Sequence, residues 1–102
     1  FVDGAQGWVA VASNVAPKAM ARLFEMVADE DRVRDAHAHY LHWLPIIEAV
    51  FGQKYVGGTK ALLNHMGFPA GRPRPPRLPL PAPVDQQMKD LVKQFSLQFK
   101  LV

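Results

Sequence analysis

Apolar and polar positions along this chain follow two different periods, and the boundary falls near residue 13. Ahead of it, WVAVA (Trp8 to Ala12) has no polar residue on either side of a period-2 alternation, the mark of a strand covered on both faces. Behind it the spacing turns helical. Met20, Leu23, Phe24 and Val27 recur at i, i+3, i+4 and i+7, with Ser13 or Asn14 as the expected cap and Pro17 suited to the first turn. ADEDR resets the chain, and Asp29 or Asp31 is the expected cap of a second helix reaching about Phe51. Its buried stripe would be Val33, Ala36, Tyr40, Trp43, Ile47 and Val50. Pro45 removes one backbone donor inside it and predicts a bend near 41–45. A third helix covers Val56 to Met66, with Gly67 placed to end it in the left-handed conformation. A last helix starts near Val84 and carries Met88, Leu91, Val92, Phe95 and Phe99 on one face.

Between the last two helices, residues 68–83 (FPAGRPRPPRLPLPAP) hold seven of the nine prolines. A segment so poor in donors is extended, and can be neither helix nor central strand. The pattern therefore predicts a mainly α chain with a single strand. A lone strand leaves a ladder of N–H and C=O groups unsatisfied, so its neighbours must come from outside this polypeptide.

Composition narrows the class. The 102 residues make one domain at most, and 49% apolar content is that of a globular protein. No apolar run approaches the roughly 20 residues of a spanning helix, and no basic-then-apolar leader opens the chain. With no cysteine, the expected setting is the cytoplasm, without disulfide or thiolate chemistry. The net charge of +3 does not form a stripe: Arg72, Arg74 and Arg77 lie in the proline segment and the other basic residues alternate with acids. Neither nucleic acid nor membrane is an expected partner.

Candidate chemistry is sparse. DAHAHYLHW brings His37, His39 and His42 together, but only His39 and His42 share a helical face and no third ligand completes a zinc set, so no metal is expected. His65 stands alone. Pro73 to Pro76 and Pro76 to Pro79 are both PxxP in form, yet Ala70, Pro73, Leu78 and Pro81 occupy the positions where a flanking cation belongs. Gly57 and Gly58 lack the surroundings of a phosphate loop, and no Ser–His–Asp arrangement can be built.

GAQGWVAVASNVAPKAM, with Gly4, Gly7, Asn14, Val15 and Pro17, resembles the last barrel strand and following helix of the dihydrodipicolinate synthase / N-acetylneuraminate lyase family. LPIIEAVF with Pro45, YVGGTKALLNHMG with Lys60, and RPPRLPLPAP continue the resemblance in order, from about residue 3 to 95. It implies the C-terminal third of a (β/α)8 barrel enzyme: residues 1–28 as the last strand and helix, and 29–102 as the helical appendix. The strand's missing neighbours would then be the remainder of the barrel, or other copies of the chain. The resemblance also implies a class I aldolase, lyase or dehydratase that joins a lysine to pyruvate or a related 2-oxo acid, without a cofactor, in a cytoplasmic homotetramer.

That lysine, and a proton-relaying tyrosine, would lie on earlier strands. Lys18, Lys54, Lys60, Lys89, Lys93 and Lys100 all fall on helices or loops, so no catalytic residue is expected here and the isolated chain should be inactive. Val9 matches the apolar residue of the last strand that lines the pyruvate pocket, and is the single substrate-contacting position implied. Ala10 stands where family members often carry serine. The competing expectation is a non-enzymatic helical interaction module that self-associates.

Overall fold

The computed structural model describes residues 4–99. The chain is mainly α, as its periodicity predicts: α1 spans Pro17–Phe24, α2 Val33–Ala49, α3 Tyr55–His65 and α4 Ala82–Gln94. Ile46 of α2, Leu62 of α3 and Met88 of α4 are fully buried, at 0%, 0% and 2% exposure, so each of these helices sends one large side chain to the centre. Met20 of α1 and the turn residues Ala12, Val15 and Ala16 close the core from the N-terminal side. Gly58 lets α3 approach the end of α2 at Ala49, and α3 meets α4 where His65 Nε2 lies 3.1 Å from Asp85 Oδ1.

The expected strand is absent. Among the described residues there is no strand: 5–10 belong to no regular element, and Val11–Asn14 wind into a 3-10 turn in which Ser13 N–H donates to Ala10 O at 3.1 Å. The reason is the one that made the strand unusual: with no ribbon beside it, a strand has no ladder to form. Ala10 nonetheless keeps extended angles, φ −115° and ψ 119°.

The helix ends also differ from expectation. Ala16, not Ser13 or Asn14, precedes α1, and the Asn14 amide donates to Val11 O at 2.9 Å inside the preceding turn. α1 then runs on through one π-helical turn, Glu25–Asp29, so Asp29 is consumed by that turn and Asp31 turns left-handed at φ 52°. Neither caps α2; Arg32 precedes it and reaches Asp35 at 2.9 Å. Within α2 the buried positions are Ala36, Ile46 and Ala49, with Trp43 and Ile47 packed beside them, while Val33 and Tyr40 are exposed rather than buried.

α4 stops at Gln94, short of Phe99. Leu97 N–H donates to Val92 O at 3.0 Å and Ser96 N–H to Lys93 O at 3.2 Å, closing the helix on a left-handed Ser96. Phe99 reaches Phe68 from outside the helix, ring centroids 4.9 Å apart. α3 closes the same way on Gly67, φ 99°, as expected. The proline segment is not extended throughout: it turns at 74–77, where Arg77 N–H donates to Arg74 O at 3.1 Å, and Ala82 and Pro83 already belong to α4, where proline is tolerated in a first turn. α3 pins its start. Asn64 accepts from Ala70 and Gly71 N–H at 2.8 and 3.2 Å and donates to Gly71 O at 2.9 Å, and Lys60 Nζ donates to Ala70 O at 2.9 Å. No helix among the described residues is long and apolar enough to cross a membrane.

Candidate functional site

Val9 is the implied substrate contact, and its surroundings are set by the ribbon that carries it. Of WVAVA, only Trp8 and Val9 still differ in cover as an alternation would require; Val11 packs against the core and Ala12 is buried within the 3-10 turn. Trp8 turns toward the helices and, with Leu23, Val27, Val33, Ala36 and Tyr40, lines an apolar groove of about 350 Å³ between α1 and α2. Val9 turns the other way and is 99% exposed, against 42% for Trp8. Water is a poor neighbour for an isopropyl group with nothing over it. Val9 is thus a bare apolar side chain next to a Trp8 that borders the groove.

The lysines stand as the periodicity placed them. Lys18 lies in α1, Lys60 in α3, Lys89 and Lys93 in α4, and Lys54 ends a 3-10 turn, while Lys100 lies outside the described residues. None of them neighbours Val9 in sequence. A second cavity, about 820 Å³, sits between the start of α1 and the segment after α4; Trp43, Met66, Phe95, Leu97 and Phe99 make it chiefly apolar.

The histidines are structural. His39 Nε2 is 2.8 Å from Ala19 O; a carbonyl only accepts, so Nε2 carries the hydrogen and ties α2 to α1. His42 meets Phe95 edge-on at 5.4 Å, and His37 stacks on Tyr40 at 6.5 Å. No group of three potential metal ligands exists among the described residues. His65, silent in the sequence, pairs with Asp85 across twenty positions, a contact that no local pattern announces.

One charged cluster is built at the α1–α2 junction. Arg22 lies 2.9 Å from Glu30 and 3.3 Å from Glu25, and Arg32 joins Glu30 at 3.5 Å and Asp35 at 2.9 Å. The hydrogen bond from Arg22 holds the Glu30 carboxyl below its ordinary range, and the same bond raises the Arg22 guanidinium. All five side chains are largely exposed to water, so the cluster orients the junction more than it stabilises it.

The profile of the dihydrodipicolinate synthetase family matches residues 2–95. A 4-hydroxy-tetrahydrodipicolinate synthase from Exiguobacterium sp. is 34% identical over 93 residues, which is 91% of this chain and 31% of that protein. Enzymes of the same name from Streptococcus pneumoniae are 37% and 38% identical over 91 residues, 88% of this chain and 28% of theirs. The chain therefore spans about three-tenths of the length of the curated relatives it matches. No solved structure matches it.

Proposed function

The chain belongs to the dihydrodipicolinate synthetase family, and from that membership we propose that it is the C-terminal portion of a class I lyase acting on pyruvate or a related 2-oxo acid. In this reading residues 1–28 close a (β/α)8 barrel as its last strand and helix, and 29–102 form the appendix that braces it and supplies oligomer contacts. The Schiff-base lysine and the relaying tyrosine belong to the remainder of the barrel. There the lysine amine adds to the keto carbon and water leaves; the resulting iminium takes up the electron pair released when a bond to the neighbouring carbon is broken. The relatives' name, 4-hydroxy-tetrahydrodipicolinate synthase, makes that synthase reaction the first to assay.

The observation that carries the reading is the bare Val9, in a chain that covers so little of its relatives. Trp8 borders the α1–α2 groove, whereas Val9 presents an apolar side chain with no cover, the kind of surface a barrel interior would stack against. Val9 is then a wall of the 2-oxo-acid pocket, contributing shape and a dry surface but no proton or nucleophile.

The test is reductive trapping. The chain is co-expressed with the part of the Exiguobacterium synthase that precedes the matched region, and both species are treated with pyruvate and borohydride. Intact mass should show an adduct on the complementing portion and none on the chain alone. An adduct on the 102-residue chain by itself would overturn the assignment. A second reading, a self-associating helical module, is favoured by the core closing over Ile46, Leu62 and Met88, with Ala12 and Val11 joining it from a 3-10 turn rather than from a strand. Failure of the two portions to assemble would select it.

A further inference from the structure

The proline segment does more than link α3 to α4, because both of its ends lie against α3. Lys60 and Asn64, one turn apart, hold Ala70 and Gly71, and Gly71 turns the chain at φ 77°. Further on, Leu80 returns to Gly57, where an added Cβ would stand 3.1 Å from its Cδ2. A concavity of about 370 Å³ lies between the two ends, bordered by Lys60 and Asn64 of α3 and by Pro73 and Pro79. Proline fixes φ, so such walls lose little freedom when something fills the space between them.

Two cations border this space, Lys60 and Arg72, and one acid, Asp85. The acid already has a partner, since Asp85 Oδ1 lies 3.1 Å from His65 Nε2. Among the described residues neither cation meets a carboxylate, although Arg22 and Arg32 at the α1–α2 junction both do. Lys60 Nζ gives one hydrogen to the neutral Ala70 O and keeps two, and Arg72 is exposed. An ammonium and a guanidinium that share a walled space with no anion of their own can receive one. We propose that this pocket, between α3 and the two ends of the proline segment, binds a small oxyanion with Lys60 and Arg72 as its charged partners. The guanidinium offers a planar fork to two oxygens, and the ammonium a second pole. The volume stands near the lower end of ligand sites, which suits a phosphate or a short dicarboxylate. The inference is independent of the lyase reading, since every residue it uses lies in α3, the proline segment or α4.

Titration of the 102-residue chain with inorganic phosphate, and separately with malonate, at fixed low ionic strength tests it. The NMR amide shifts of Lys60, Gly71 and Arg72 should saturate with at least one of the two, and chloride at the same ionic strength should give no such curve. Whichever anion binds more tightly tells whether phosphoryl or carboxylate groups are the preferred source of the oxygens. Arg72→Gln should raise the dissociation constant about fivefold, and Arg72→Lys, which keeps the charge but not the fork, should raise it less. Arg77→Gln is the control: Arg77 is exposed in the same segment but does not border the pocket, so its loss should leave binding unchanged. Lys60→Gln should weaken binding as well, and it is read beside circular dichroism because that lysine also holds Ala70. Shifts that rise without saturating for both anions would overturn the proposal. So would Arg72→Gln and Arg77→Gln variants that titrate alike, since the anion would then be answering to overall charge and not to the pocket.

Discussion

Gly58 is buried in the middle of α3, where glycine costs a helix about 1 kcal/mol relative to alanine. Clearance explains it: a Cβ there would run into the carbonyl oxygen of Ala49 at the end of α2, and backbone cannot swing aside as a flexible side chain would. Gly58→Ala, a gain on propensity alone, is therefore expected to lower stability by ~1–3 kcal/mol, read as a lower urea midpoint. Ser96 poses the opposite case. It holds φ 52° to end α4, a conformation that costs a non-glycine residue about 1 kcal/mol. Ser96→Gly should raise the midpoint by a comparable amount, since the hydrogen bonds of Leu97 and Ser96 to α4 are made by backbone alone. This serine is also why the helix was expected to reach Phe99: Gly67 announces the end of α3, whereas nothing in the letters around Ser96 announces the end of α4.

Between elements, legibility follows the range of the forces involved. α1 to α4 were readable because an amphipathic period is local, and so was Pro45 within α2; the turn at 74–77 and the start of α4 at Ala82 inside the proline segment were not. The Lys60–Asn64 clamp and the His65–Asp85 pair were not, because tertiary approach alone decides which helix face meets which loop. The α1–α2 junction lies between these cases: its charges were visible, but the π-helical turn that gathers them was not. There Arg22 depresses the Glu30 pKa from its ordinary 4.5. A depressed folded value means that the contribution is complete above the unfolded pKa and is lost as pH falls through the folded one. The junction should accordingly loosen only under acid, below the ordinary carboxylate range. Arg22→Ala should return the Glu30 carboxyl toward 4.5 in an NMR titration and move that loosening to higher pH. A Glu30 titration unchanged by the substitution would mean that the hydrogen bond is not held in solution.

At the scale of the whole molecule, the apolar ribbon is where sequence and structure part company, and the parting is informative. Its alternation describes two covered faces and two paired edges, and this chain supplies only the helix-side cover over Trp8. Val9 separates the folding of these helices from the completion of a larger body. At 99% exposure it contributes almost nothing to the helical core, so Val9→Asp should change the unfolding free energy of the isolated chain by less than ~0.5 kcal/mol, with the urea midpoint barely moved. Inside a closed barrel the same carboxylate would enter a packed apolar layer without a partner, at a cost of several kcal/mol or by taking up a proton. The substitution should therefore be silent in the chain alone and abolish the pyruvate adduct of the complemented enzyme. Trp8→Ala should already weaken the isolated chain modestly, because the half-exposed ring walls the apolar groove between α1 and α2. Full trapping by the Val9→Asp pair would mean that this face of the ribbon never enters a barrel interior, and the pocket would have to be sought on another surface.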